Sequence, residues 1–225
     1  MAKAPALSSE QARLAALQNI PLFEGLPDAQ LQMFARVAVR RSFPRNKTIV
    51  YGGDSSDDQS LFIIIRGSVK VLSRDNEGRE VILSFIGEGE CIGEMALIDG
   101  EPRSADVVAF DNCELLEISR EDFTHTLMEN PELCLSIMRS LVLRLRRATW
   151  KIESLALMDT YGRVAKLLLE LSEEVDGKIL RKKVSRQDVA KMVGASREMV
   201  TRVMKDLETS GHIRQDDGHI IICKQ

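Results

Sequence analysis

SRQDVAKMVGASREMVTRVMKDLETSGHI, residues 185–213, decides how the chain is organised. Ser185 followed by Asp188 opens a helix in the manner of a capping box, with Asp where Glu or Gln is usual. The helix RQDVAKMV turns Val189, Met192 and Val193 inward, and Gly194 supplies a bend. Ser196 can cap a second helix, whose inward residues are Val200, Val203, Met204 and Leu207. A helix, a glycine-containing turn and a second helix make a helix-turn-helix. The following HIRQDDGHIIIC, residues 212–223, is a hairpin about an Asp-Gly turn and adds a wing.

This head is basic in a chain of formal net charge −3. Eight Lys or Arg (Arg181, Lys182, Lys183, Arg186, Lys191, Arg197, Arg202, Lys205) face three acids, Asp188, Glu198 and Asp206. Such an excess suits a polyanion, although a solvated charged face would have the same composition. The second helix leads with Arg197 and Glu198, and Arg202 follows one turn on. Arg pairs with guanine O6 and N7, Glu accepts from cytosine N4, and base edges are met by the N-terminal turns of a recognition helix. The plainer alternative is an internal Glu198–Arg202 pair, worth only about 0.3 kcal/mol. Base recognition accounts for turn, wing and charge together. Arg186, Lys191 and Lys205 would then grip phosphates, which position the head without specifying sequence. The candidate DNA contacts are Ser185, Arg186, Ser196, Arg197, Glu198, Arg202 and Lys205.

Upstream, Pro131 to Met158 contains no further Gly or Pro. Cys134, Met138, Leu141, Leu145, Ala148, Ile152 and Leu155 recur there at alternating intervals of four and three. That spacing predicts a coiled-coil seam on a helix of about 40 Å. A helix buried against its own domain would also be apolar. A dimer is favoured because Arg144, Arg146, Arg147 and Lys151 stand off the seam, so the expected dimer interface is Met138, Leu141, Leu145, Ala148, Ile152 and Leu155. Asp159-Thr160 then caps a further helix, TYGRVAKLLLELSEE, ending near Gly177. Earlier, from Ser42 to about Ser119, the short runs TIVY, LFIII, SVKVL, EVILSFI and CELLEI alternate with turn signals such as YGGDSSDD and RDNEGRE. They predict an antiparallel barrel or roll. Residues 9–18 and 27–38 have helical spacing, with Pro27 suited to a first turn.

At 44% hydrophobic and 29% charged, the composition is that of a folded globular protein. No run approaches the ~18 apolar residues of a membrane span, and MAKAPALSSEQARLAAL lacks a signal peptide's apolar core and cleavage site. Cys91, Cys113, Cys134 and Cys223 are scattered, with no metal-ligand spacing, so free thiols in a reducing cytoplasm are expected, with no metal site. His125, His212 and His219 form no triad with Ser or Cys, and no enzyme is expected.

GEMALIDGEPRSADV, residues 93–107, places Glu94 and Arg103 on either side of a bend. Two explanations stand: an ion pair closing a loop, or a cradle for a small phosphate. The two quoted stretches together resemble the cyclic-AMP receptor protein and fumarate-nitrate regulator (Crp/Fnr) family of bacterial transcription regulators. The resemblance runs from about Pro21 to Ile222 and keeps the family's order of roll, long dimer helix and winged head. It implies an α+β fold: a cyclic-nucleotide-binding, jelly-roll-like β-roll over residues 1–130, a dimerisation helix over 131–158 and a winged helix-turn-helix over 159–225. It also implies that Gly93, Glu94, Arg103 and Ser104 hold a cyclic nucleotide. Arg103 would meet the phosphate, Ser104 would donate to the same oxygens, Glu94 would accept the ribose 2′-hydroxyl and Gly93 would allow close approach.

One position departs from the family. In its cyclic-AMP-responsive members two small hydroxyl-type residues on the long helix meet the base; Thr149 matches the first, but Trp150 occupies the second. Indole offers one donor and no acceptor, so a rival ligand such as cyclic di-GMP is carried beside cyclic AMP. A regulator that binds DNA without ligand is a further alternative. The iron–sulfur branch needs N-terminal cysteines, absent before Cys91, and the haem branch a His near its Cys, absent within thirty residues of Cys91. The resemblance further implies a cytoplasmic homodimer, a TGTGA…TCACA palindrome as DNA partner, and RNA polymerase as a protein partner.

Overall fold

The computed structural model describes residues 9–24, 26–56, 59–175, 178–181, 184–216 and 219–223. Helices α1 (Ser9–Gln18) and α2 (Asp28–Val37) come first. Pro27 precedes the first turn of α2 instead of lying in it; its ψ of 144° is extended. The strands β1 (Val39–Phe43), β2 (Thr48–Val50), β3 (Ser60–Arg66), β4 (Val69–Arg74), β5 (Glu80–Ile86) and β6 (Cys91–Ile92) follow. A short helix α3 (Glu94–Asp99) leads into β7 (Asp106–Ala109) and β8 (Cys113–Ser119). Two four-stranded sheets result, ordered β1-β8-β3-β6 and β2-β7-β4-β5. The pairs β1–β8, β3–β8, β3–β6, β2–β7 and β4–β7 are antiparallel, as a roll requires.

The uninterrupted run LFIII has a physical reason: β3 is covered on both faces. Leu61 and Ile63 pack with Leu17, Phe34, Leu116, Ile118 and Phe123, while Phe62 and Ile64 pack with Val50, Val69, Ile86, Ile92, Val107 and Leu115. Strands β1, β6 and β7 lie outside the runs expected to be strands. β1 is an edge strand with four of its five residues exposed. Its position is fixed by the backbone ladder with β8, Val39 opposite Glu117 to Phe43 opposite Cys113, and Arg40 with Glu114 and Arg41 with Glu117 pair across it.

Helix α4 (Arg120–Glu129) is capped by Ser119, whose hydroxyl accepts from the Asp122 N–H at 3.1 Å. Helix α5 spans Pro131–Leu157 without a break. Of the expected seam, Met138, Leu145, Ala148, Ile152 and Leu155 are exposed in the single chain, and Cys134 and Leu141 are half-buried. Helix α6 (Thr160–Glu170) starts as expected, with Asp159 Oδ1 accepting from the Gly162 N–H at 2.8 Å. Its end does not match. Residues Ser172–Val175 form strand β9, paired with β10 (Lys178–Arg181), and Gly177, the expected terminus, lies outside the described residues. The glutamates of SEEV favour a helix in isolation, and cross-strand pairing overrides that preference.

Helices α7 (Arg186–Val193) and α8 (Arg197–Thr209) and strands β11 (Ile213–Asp216) and β12 (His219–Ile222) complete the chain. The wing is part of a four-stranded sheet, β11-β12-β10-β9, larger than the hairpin expected. The Asp217-Gly218 turn itself lies outside the described residues. Internal contacts divide the chain into two units, Met1–Asp75 with Leu83–Leu143, and Asn76–Ile82 with Arg144–Gln225. No helix among the described residues is long and apolar enough to cross a membrane.

Candidate functional site

In the first unit, β6 runs directly into Gly93, which has φ +89° and precedes α3. A Cβ there would come within 2.2 Å of Arg103 Nη1 and 2.9 Å of the Ser60 carbonyl oxygen. Glycine is required twice over, for its left-handed backbone and for the space the guanidinium occupies. Gly93→Ala should therefore cost about 1–3 kcal/mol of folding stability, read as a lower urea midpoint at unchanged slope.

The guanidinium that fills this space belongs to a residue only 6% exposed. Arg103 Nη1 donates to the Gly93 carbonyl at 2.8 Å and Nη2 to the Ser60 carbonyl at 2.7 Å. Its backbone is fixed as well: its N–H donates to the Asp54 carbonyl at 2.9 Å, and its carbonyl accepts from the Gly53 N–H at 2.7 Å. Burial pulls the guanidinium below its ordinary range; Asp54 and Glu94 oppose this, and Arg120 adds to it. Glu94 is 2% exposed, with the Cys91 thiol 4.0 Å from its Oε2. Ser104, beside Arg103, is exposed.

The structure thus brings Gly93, Glu94, Arg103 and Ser104 to one place. Two carbonyls, those of Gly93 and Ser60, hold the Arg103 guanidinium. Carbonyl dipoles fix a cation without cancelling its charge, which suits the site to an exchangeable anion. Sequence inspection missed Ser60, 43 residues from Arg103, because a backbone acceptor leaves no residue-type signal.

Thr149 and Trp150 lie on the part of α5 that belongs to the second unit. Thr149 is exposed. The Trp150 ring carries the Lys166 ammonium 3.7 Å from its centroid, a cation–π contact from α6. Burial raises the Glu170 carboxyl, against Lys166, Lys151 and Arg147.

In the head, Gly194 (φ 64°, ψ 48°) makes the turn between α7 and α8. Ser185 Oγ accepts from the Asp188 N–H at 3.0 Å and donates to the Asp188 carboxylate at 2.7 Å, so Asp188 answers the hydroxyl of its cap. Ser196 Oγ accepts from the Met199 N–H at 3.2 Å. Val200, Val203, Met204 and Leu207 are buried, which leaves Arg197, Glu198, Arg202 and Lys205 exposed together on the other side of α8. Glu198 and Arg202 form no ion pair among the described residues. The Glu198 carboxyl is held below its usual range by its own backbone N–H and by Ser196, so it is ionised and able to accept. Arg186 is exposed, whereas Lys191 Nζ lies 2.5 Å from Glu80 Oε2 in the same unit. Lys182 and Lys183 lie outside the described residues.

Residues 40–130 match the cyclic nucleotide-binding domain, and residues 162–225 match the Crp-like helix-turn-helix domain. The chain is 38% identical over 180 residues to the cAMP-activated global transcriptional regulator Vfr of Pseudomonas aeruginosa, covering 76% of this chain and 83% of Vfr. The chain belongs to the CRP/FNR family of transcription regulators. Another member, the cAMP-activated global transcriptional regulator CRP of Salmonella typhimurium, is 34% identical over 200 residues, covering 87% of this chain and 94% of that one. Among solved structures, the c-di-GMP responsive global regulator CLP of Xanthomonas campestris superposes with a TM-score of 0.76 at 29% identity, over 88% of this chain and all of CLP. CRP/FNR proteins are regulators and not enzymes, and this one carries both a cyclic nucleotide-binding domain and a DNA-binding head.

Proposed function

We propose that this CRP/FNR regulator works as a homodimer in the cytoplasm, binds cyclic AMP in its roll, and then grips a TGTGA…TCACA palindrome through paired heads to engage RNA polymerase. The domain limits proposed are 1–130 for the roll, 131–158 for the dimer helix and 159–225 for the head. One observation carries the ligand assignment: a nearly buried guanidinium, held by the Gly93 and Ser60 carbonyls beside a buried Glu94. A cyclic nucleotide supplies one phosphate anion and a ribose hydroxyl, which suit Arg103 with Ser104, and Glu94, in turn. The names of Vfr and CRP support cyclic AMP. The exposed apolar stripe of α5 supports the dimer, since a second copy would cover it.

Ligand moves the heads only if it favours the DNA-ready state. A hundredfold shift takes about 2.7 kcal/mol of differential affinity. A second ligand is favoured by Trp150, which replaces the expected small hydroxyl residue, together with the likeness to CLP. Calorimetric titration of cyclic AMP, cyclic GMP and cyclic di-GMP tests both. Cyclic AMP should bind at one equivalent per chain, and cyclic GMP at least tenfold more weakly. Tighter binding of cyclic di-GMP would replace cyclic AMP as the signal, and no binding of any of the three would overturn the nucleotide assignment.

A further inference from the structure

Arg103 is not alone in the gap it spans. It joins the start of β3, at Ser60, to the residue ahead of α3, at Gly93. One residue earlier on the chain, Gln59 is 4% exposed, and its Oε1 accepts from Arg120 Nη2 at 2.7 Å. The same Nη2 donates to the Ala96 carbonyl of α3 at 3.2 Å. A second guanidinium therefore ties the same two segments together. Gln59 is itself anchored, its Nε2 donating to the Asp54 carbonyl at 2.9 Å, and that carbonyl also accepts the backbone N–H of Arg103.

From this double tie we infer that Arg120, acting through Gln59, is a positioning residue that fixes the orientation of the bound phosphate. The inference rests on the cyclic-nucleotide assignment above. An anion that draws on the remaining N–H groups of Arg103 pulls the guanidinium toward itself and weakens its bonds to Gly93 and Ser60. The β3–β6 ladder, with Phe62 opposite Ile92 and Ile63 opposite Cys91, stops short of Ser60 and Gly93. With those bonds weakened, the start of β3 and α3 would have room to shift and Glu94 to drift from the ribose. Arg120 keeps its bonds to Gln59 and Ala96, and so the spacing of the two segments, while Arg103 turns to the ligand. Preorganisation of this kind lowers the cost of binding and sharpens selection between ligands that differ only at the phosphate.

The two diastereomers of cyclic adenosine phosphorothioate, Sp and Rp, place sulfur on alternative phosphate positions and so report phosphate orientation. Wild type, Arg120→Met, Gln59→Leu, the double variant and Arg120→Lys are titrated with cyclic AMP and with each diastereomer, with circular dichroism melts alongside. Arg120→Met should weaken cyclic AMP about tenfold and bring the Sp-to-Rp affinity ratio at least threefold closer to one. Gln59→Leu should do the same, the double variant should be no worse than either single one, and Arg120→Lys should recover part of the ratio. Weaker binding of all three ligands by one common factor, with the ratio intact, would show a merely structural residue and overturn the inference, as would wild-type binding by Arg120→Met. Should Arg120→Met not fold, Arg120→Lys and Gln59→Leu decide by the same ratio. A wild type that binds none of these ligands would instead bring down the nucleotide assignment, and this inference with it.

Discussion

Arg103→Ala should lose cyclic AMP binding by at least about a hundredfold while the chain stays folded. A hydrogen bond to a charged group is worth about 1.5–3 kcal/mol, so removing two guanidinium donors from the phosphate amounts to two decades or more in Kd. The fold has less at stake. The Gly93 and Ser60 carbonyls lose their partner, at roughly 1–3 kcal/mol, but the vacated volume opens beside exposed Ser104 and can admit water. Calorimetry reads the first effect and a thermal melt the second. Arg103→Lys keeps a charge without the planar fork and should fall between. Normal titration by Arg103→Ala would show that the guanidinium serves its own loop alone.

The second large effect belongs to the other unit. Arg202→Ala should weaken operator binding by about 1–3 kcal/mol per head and relax preference at one base position. It lies on the exposed side of α8, paired with no carboxylate among the described residues, so its loss leaves the core of Val200, Val203 and Met204 intact. Lys205→Ala makes the contrast, weakening all duplexes alike and lowering the salt slope by about one. Binding to a panel of half-site variants separates the two; an unchanged base preference in Arg202→Ala would remove it from the reading face.

The head was legible in the sequence because its information is local. Caps at Ser185 and Ser196, a left-handed glycine at 194 and helical apolar spacing lie within one short segment, and each needs no distant partner. The roll was legible where strands are buried on both faces, as in LFIII. It was not legible in β1, whose VRRSF is mostly exposed and owes its conformation to backbone pairing with β8. SEEV misled for a related reason, since β10 decides its conformation. In the cradle, Gly93, Glu94, Arg103 and Ser104 came from the family resemblance, because type and spacing alone left an ion pair and a phosphate site both open. What holds them was not legible: the Ser60 carbonyl, Gln59 and Arg120 come from three separate elements, and none has a pattern of its own.

Coupling between the two units is the centre of the account, and one measurement addresses it directly. A fluorescent TGTGA…TCACA duplex is titrated with the protein, by anisotropy, in the absence and presence of saturating cyclic AMP, for wild type and Arg103→Ala. The nucleotide should tighten wild-type binding by about a hundredfold, matching the roughly 2.7 kcal/mol of linkage, and leave Arg103→Ala unmoved at the weak value. Equal affinity with and without nucleotide in the wild type would contradict it.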